Sequence, residues 1–282
     1  MSDLKNKRVI SVAIVGAMAS KNDNPTVPYT PEEIAAEVYE SWKAGAAIAH
    51  IHVRNDDGTP SIEYDRYKDT IDRIRAYKDC DICLNITTSG KTSGTDEQRM
   101  EAALGLLPEF ASYDCGSMNW AHAAIFENHP AFLEKLGMAL QEANIKPEIE
   151  IFDAGMIYNA LYYIKKGILK APCHFQFVMG APGGVNNDLR HLMYLRDLIP
   201  EGSTWAATGI GSGHIPVMMA TIAMGGHLRV GLEDNVMYHR GVPSKGNAQL
   251  VARAKRLIEE AGFEAATPDE ARAILGLTRK VF

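Results

Sequence analysis

No stretch of this sequence approaches the ~18 uninterrupted apolar residues of a membrane-spanning helix, and the opening "MSDLKNKR" lacks the apolar core of a secretory signal. A cytoplasmic protein that meets no membrane is the expectation. Basic residues are in the minority, 29 Lys and Arg against 35 Asp and Glu, for a formal net charge of -6. That deficit argues against a surface for nucleic acid. Cysteine is scarce, at Cys80, Cys83, Cys115 and Cys173. Two of these form the C-x-x-C of "CDIC", but no second pair completes a zinc site and Cys83 lies in an apolar run. Reduced, buried thiols are expected there. The first strand-like run is not followed by G-x-G-x-x-G, which removes the dinucleotide fingerprint, and no low-complexity tract or repeat divides the chain.

What is present is alternation. Eight β-rich apolar runs, "VISVAIVGA", "AAIAHIHVR", "DICLNITTSG", "FASYDCGS", "KPEIEIFDAG", "CHFQFVMGAPGG", "STWAATGIGSG" and "HLRVGLEDN", are each separated by a segment of helical character. One such segment opens at Thr30 with Pro31 behind it and closes at Gly45, and another opens at Thr95. Eight strand and helix pairs in about 240 residues fit a (β/α)8 TIM barrel better than an open doubly wound sheet. A single barrel domain over residues 1–282 is expected. Its tail, "FEAATPDEARAILGL", reads as a loop and one more helix starting near Thr267 or Asp269.

In such a barrel the chemistry sits where the strands end, and here those ends are crowded with polar side chains. The second run ends with His50, His52 and Arg54. His-x-His on a strand puts two imidazoles on one face, about 6 to 7 Å apart at their Cα atoms, a spacing that suits two ligands of one metal. Glu233, at the end of the run that closes the barrel, is the nearest carboxylate for a third position. Such a set fits Zn2+ as a Lewis acid, and Mn2+ or Fe2+ could occupy it. A pair of satisfied core histidines is the alternative. Arg229 and Asp234 lie five apart in "RVGLED", as a structural ion pair or as a base with its orienting partner. The glycine turns "GAPGG" (Gly180, Gly183, Gly184) and "GIGSG" (Gly209, Gly211) follow strands six and seven, where barrels often hold phosphate, although glycine also simply turns corners.

The chain resembles the β-keto acid cleavage enzymes through "HIHVRNDDG", "NHPAFLEKL", "FQFVMGAPGG", "IGSGHIP", "GGHLRVGLEDN" and "KGNAQLVAR", a likeness that runs from about residue 10 to the last helix. The resemblance implies a (β/α)8 barrel, usually a homotetramer, with Zn2+ held by His50, His52 and Glu233. It implies a β-keto acid and acetyl-CoA as substrates, acetoacetate and a new CoA ester as products, and no ATP, nicotinamide or flavin. By the same likeness Asp234 is the base, oriented by Arg229. Thr87, Thr88, Ser89 and Gly90 hold the substrate carboxylate with Ser112 beside them, and the two glycine turns face CoA. Members acting on an amino-bearing acid have a glutamate where this chain has Met18, and an asparagine where it has Asp114. A carboxylate with Trp120 nearby suits a quaternary ammonium group, so dehydrocarnitine is the substrate expected. A CoA-independent metal aldolase or hydrolase, and a non-catalytic ligand-binding barrel, are the competing readings.

Overall fold

The eight apolar runs form eight parallel strands in the computed structural model, which describes residues 4–91 and 93–280. They are β1 (Ile10–Ala13), β2 (Ile48–Ile51), β3 (Cys83–Ile86), β4 (Phe110–Asp114), β5 (Lys146–Ile151), β6 (His174–Met179), β7 (Thr204–Gly209) and β8 (His227–Val230). Each pairs with the next, and β8 returns to β1 with Arg229 opposite Ser11, so the sheet closes into a barrel. Closure leaves no open sheet edge. Around it lie α1 (Pro31–Ala44), α2 (Tyr64–Ala76), α3 (Asp96–Leu106), α4 (Pro130–Glu142), α5 (Ala154–Lys165), α6 (Leu189–Leu198), α7 (His214–Ala223) and α8 (Asn247–Glu260).

The helices begin and end where their caps dictate. Thr30 and Glu33 make a reciprocal capping box, Pro31 needs no donor at the first position, and Gly45 ends α1 at φ +114°. Thr95 with Gln98 starts α3 in the same way. Along the strands, alternate residues such as Val12, Ala49, Ile51, Leu84, Ile86 and Tyr113 join the main apolar core. Their neighbours Ser11, His50, Asn85, Ser112, Glu148 and Gln176 are also buried, so the barrel lumen is polar where most barrels stack branched aliphatics.

The N-terminal end of the barrel is sealed. The expected last helix, α9 (Pro268–Leu275), is capped by Thr267 and lays Ala271 and Leu275 against Val9, Ile48, Cys83 and Phe110. Its Arg272 donates to buried Glu109 at 2.7 and 3.0 Å and to the Asp81 carbonyl at 2.8 Å, while the other oxygen of Glu109 takes the Leu84 N–H. Only the opposite, C-terminal end is left for a site. The four thiols are free and buried, and burial pushes Cys83 up to about 12, so "CDIC" is structural. Among the described residues no helix is long and apolar enough to cross a membrane.

Two boundaries differ from the sequence reading. The second strand stops at Ile51, because Val53–Arg54 turns away to pair antiparallel with Pro60–Ser61. The fourth run is followed by a hairpin, Met118–Trp120 against Ala124–Phe126, before the next helix starts.

His174 and His227 stand at the sealed end, His174 bonded to Thr204 Oγ1 and His227 accepting the Val9 N–H. Burial lowers them to about 4 and about 3 from an ordinary 6.5. Below pH 6.5 the unfolded chain takes up protons that the folded one refuses, so stability falls as pH drops towards 4, by on the order of 1–3 kcal/mol per ring. Urea unfolding of His174→Gln is expected to show a flatter decline between pH 6.5 and 4 than the wild type; identical slopes would remove the assignment.

Candidate active site

His50 is the penultimate residue of β2, buried beside the lumen, and His52 follows one residue past the strand with its ring 5.1 Å from that of His50. Glu233 reaches them from the far side of the closure. The chain leaves β8 through Gly231 at φ +147°, where a Cβ would lie 2.0 Å from the Ala13 carbonyl oxygen, and the Glu233 N–H then donates to that same oxygen. Gly16 provides the space for the carboxylate, since a Cβ there would sit 2.4 Å from Glu233 Cγ. Glu233 Oε1 is 3.5 Å from His52 Nε2, and Oε2 is 3.7 Å from His50 Nε2.

One donor atom from each of these three residues lies within 4.8 Å of the others, a set able to hold a metal ion. Burial keeps His52 neutral by pushing its pKa down, which leaves a nitrogen lone pair to donate. Burial would also neutralise Glu233, but the Arg229 charge and the two imidazoles outweigh it and hold the carboxyl well below the usual range. Glu233 Oε2 and His50 Nδ1 are buried without a hydrogen-bond partner among the described residues. Glu148, 3.6 Å from His50 Nδ1 and taking a hydrogen bond from Asn85, is placed to orient the ring from behind. The donor set, its charge and its orphaned oxygen fit a divalent cation such as zinc.

Arg229, buried on β8, organises the rest of the floor. Its Nε and Nη2 grip Asp234 at 3.0 and 3.1 Å, Nη2 meets Glu233 Oε1 at 2.6 Å, and Nη1 lies 3.5 Å from Glu150. Asp234 Oδ2 also accepts from Thr208 Oγ1 at 3.1 Å. Burial acts against the guanidinium, but three carboxylates keep it charged, well above its ordinary value. Glu150 is pushed well above the carboxylate range by burial and by Asp114.

These groups floor a cavity of about 700 Å³ whose lining also includes Thr87, Ser89, Gly90, Asp114 and Met18, Met18 being 64% exposed. Thr88 and Ser112, expected to face the substrate, do not line it. Thr88 Oγ1 donates to the Ser112 carbonyl and the Thr88 N–H donates to Ser112 Oγ, so the pair bolts β3 to β4. Ser89 is also engaged, its N–H with Thr87 Oγ1 and its hydroxyl with Asp114. Thr87 Oγ1 in turn lies 3.4 Å from Ser112 Oγ, so all three hydroxyls of the segment have partners within the protein.

The glycine turns frame the cavity through Ala181, Pro182 and Ile210. Their expected role as a cradle of free N–H groups is corrected at three positions. The Gly180 N–H donates to Val185 O, that of Gly184 to Ala181 O and that of Gly211 to Asn235 Oδ1. Gly183 and Gly209 are demanded by close approach, a Cβ falling 1.8 Å from Asn119 O at the first and 2.4 Å from Gly213 O at the second. Arg54 also turns away, donating to the carbonyls of Gly16, Ala19 and Gly58.

Four residues the sequence reading gave no role stand at or behind the site: Glu148, Glu150, Thr208 and Arg99. The first two carried a signal, since "EIEI" on a strand puts both carboxylates on the face that His50 shares. The opposite wall is aromatic. Trp120 and Phe126 of the hairpin and Phe152 after β5 pack with ring centroids 5.8 to 5.9 Å apart.

A sequence model of the β-keto acid cleavage enzymes matches residues 7–277. The chain belongs to that family. It is thus an enzyme of the acyltransferase type that cleaves β-keto acids, and its motifs sit on the barrel ends just described. It is 44% identical over 276 residues to the 3-keto-5-aminohexanoate cleavage enzyme of Fusobacterium nucleatum, covering 98% of this chain and 100% of that one. It is 33% identical to the 3-dehydrocarnitine:acetyl-CoA trimethylamine transferase of Rhizobium meliloti, covering 96% and 97%. Among solved structures, a ternary complex of ObcA with a C4-CoA adduct and oxalate superposes with a TM-score of 0.78 at 21% identity, over 90% of this chain and 68% of that one, which shows the shared fold.

Gly183→Ala is expected to lower stability by about 1–3 kcal/mol, because the new methyl must displace Asn119 and adopt a left-handed backbone. The hairpin should loosen with it. Limited proteolysis near residues 121–124 and a melting curve check this, and an unchanged melt would remove the claim that the two loops are locked together.

Proposed function

We propose that the chain condenses a β-keto acid with acetyl-CoA and releases acetoacetate and a new acyl-CoA, with zinc at His50, His52 and Glu233. The observation that carries the reading is the bidentate Arg229–Asp234 pair beside that three-ligand set. Zinc bound there would supply Lewis-acid polarisation of the substrate's keto oxygen.

The protein's own groups do the rest. Asp234, gripped by Arg229 and Thr208, removes a proton from the carbon between the keto and carboxylate groups. Thr87 and the Gly90 segment receive the carboxylate. The resulting carbanion attacks the acetyl carbonyl of acetyl-CoA, forming a carbon–carbon bond as CoA thiolate leaves. The thiolate then adds to the original keto carbon and the older carbon–carbon bond breaks. The new acyl-CoA is released together with acetoacetate, which recovers its proton from Asp234. Atoms balance without an oxidant, reductant or nucleotide.

The far end of the acid faces Asp114 and the Trp120 wall, a carboxylate beside aromatic rings, which suits a cationic group. Dehydrocarnitine is the first candidate, with Met18 apt to touch N-methyl groups. Exposed Tyr158, Tyr162, Met193 and Tyr194 on α5 and α6 support the further expectation of a tetramer.

A thiol-release and acetoacetate assay with dehydrocarnitine, 3-keto-5-aminohexanoate, β-ketoadipate and alkyl β-keto acids tests the whole. Acetoacetate formed only when acetyl-CoA and an acid are both present is the expected result, and silence from zinc-loaded protein across the panel would overturn it. Asp234→Asn should keep zinc yet lose about 10²- to 10⁴-fold in kcat. Glu233→Gln should lose zinc and turnover together, by more than the ~10- to 100-fold typical of an outer-shell partner. Full zinc content in an inactive Glu233→Gln protein would remove Glu233 as a ligand.

A further inference from the structure

Arg99 projects from α3, outside the barrel, and is buried with its guanidinium over the Phe132 ring. Nε donates to the Thr88 carbonyl at 2.9 Å, and Nη1 to the Glu127 carbonyl at 3.0 Å. Nη2 donates to Asn128 Oδ1 at 2.6 Å and to Ser89 Oγ at 3.2 Å. All four acceptors are neutral. A buried cation needs compensating charge, and of the acidic groups that act on Arg99, Asp114 is the strongest, ahead of Asp96 and Glu127.

The Ser89 hydroxyl has a single proton and gives it to Asp114 Oδ2, while its lone pair receives Arg99. Donation therefore runs one way, from Arg99 through Ser89 to Asp114. Asp114 Oδ1 accepts no hydrogen bond from a described residue, and Asp114 lines the cavity.

We propose that Arg99 is a positioning residue for substrate choice: it fixes Ser89, and through it the Asp114 carboxylate, so that Oδ1 is presented to a cationic group at the far end of the β-keto acid. This rests on the reading above that the acid is cationic. The same guanidinium holds Glu127 and Asn128, which directly follow the hairpin carrying Trp120 and Phe126. One buried group thus sets both the acceptor and the aromatic wall. Burial pushes the Asp114 carboxyl up on balance, and the Ser89 hydrogen bond and then the Arg99 charge act against that rise.

The test compares kcat/KM for dehydrocarnitine with that for its neutral isostere, in which a tert-butyl group replaces trimethylammonium. Wild type should prefer the cation by roughly 10- to 100-fold, the scale of a desolvated cation–π contact and the attraction of one carboxylate, and Asp114→Asn should lose the preference. Ser89→Ala should lose most of it with the KM for acetyl-CoA unchanged, because the bonds of Arg99 to Glu127 and Asn128 stay in place; Arg99→Met should lose most of it too, and Arg99→Lys, keeping the charge without the fork, should fall between. General loosening of the fold would not single out the cationic acid. If Ser89→Ala and Arg99→Lys keep the wild-type ratio while Asp114→Asn loses it, the role of Arg99 is overturned and the cationic reading stands. A wild type that does not distinguish the two acids overturns the cationic reading itself. Should Arg99→Met fail to fold, Ser89→Ala still decides, because it severs the same chain with Arg99 in place.

Discussion

Arg229 is buried on β8 with Glu150, Glu233 and Asp234 within reach of its guanidinium, and no other part of the site would hold without it. Three carboxylates in a low-dielectric lumen repel one another, and burial favours the protonated form of each. The planar fork answers both problems. It pairs bidentately with Asp234, touches Glu233 on the side facing away from His50, and lies farthest from Glu150, the one of the three whose carboxyl burial and Asp114 push well up.

The site is also a consequence of how the barrel closes. Pairing of β8 with β1 in register Arg229 to Ser11 aligns the last strand with a small residue, and the Gly231 turn then carries Glu233 over to Gly16 and the imidazoles of β2. At the other end α9 and the Arg272–Glu109 pair seal the lumen. Polar residues along the strands, rich in carboxylate, imidazole and amide, consequently face the C-terminal mouth.

Much of this was legible in the chain. The strand count, the capping threonines and the last helix follow from period and cap chemistry, which are local. His50, His52, Arg229, Glu233 and Asp234 could be picked out because they sit where apolar runs end. What was not legible depends on contacts between segments distant in sequence. Thr88 and Ser112 look like substrate hydroxyls until β3 and β4 are laid side by side, when each is seen to bond the other's backbone. Gly183 looks like a phosphate turn until the hairpin at Asn119 is brought against it. Arg99 carries no motif at all, and its importance appears only when α3 is folded onto the β3 loop.

The proposed reaction asks for a cavity that retains CoA thiolate between its departure from the acetyl group and its attack on the second carbonyl. A mobile flap would serve that poorly, because a free thiolate that escapes ends the turnover with a diketo acid still bound. The hairpin over the cavity is fixed rather than mobile. Its turn is tied to the β6 loop by the Ala121 N–H on Pro182 O, its back meets Gly183 at a distance only glycine allows, and its aromatic rings pack edge-to-face with Phe152 just after β5. On the proposed reading the polar floor would hold the acid, while the apolar wall of Trp120, Phe126, Ala181, Pro182 and Ile210 would seat an uncharged thioester arm, and one cavity divided in this way would let two substrates react in sequence without either having to leave.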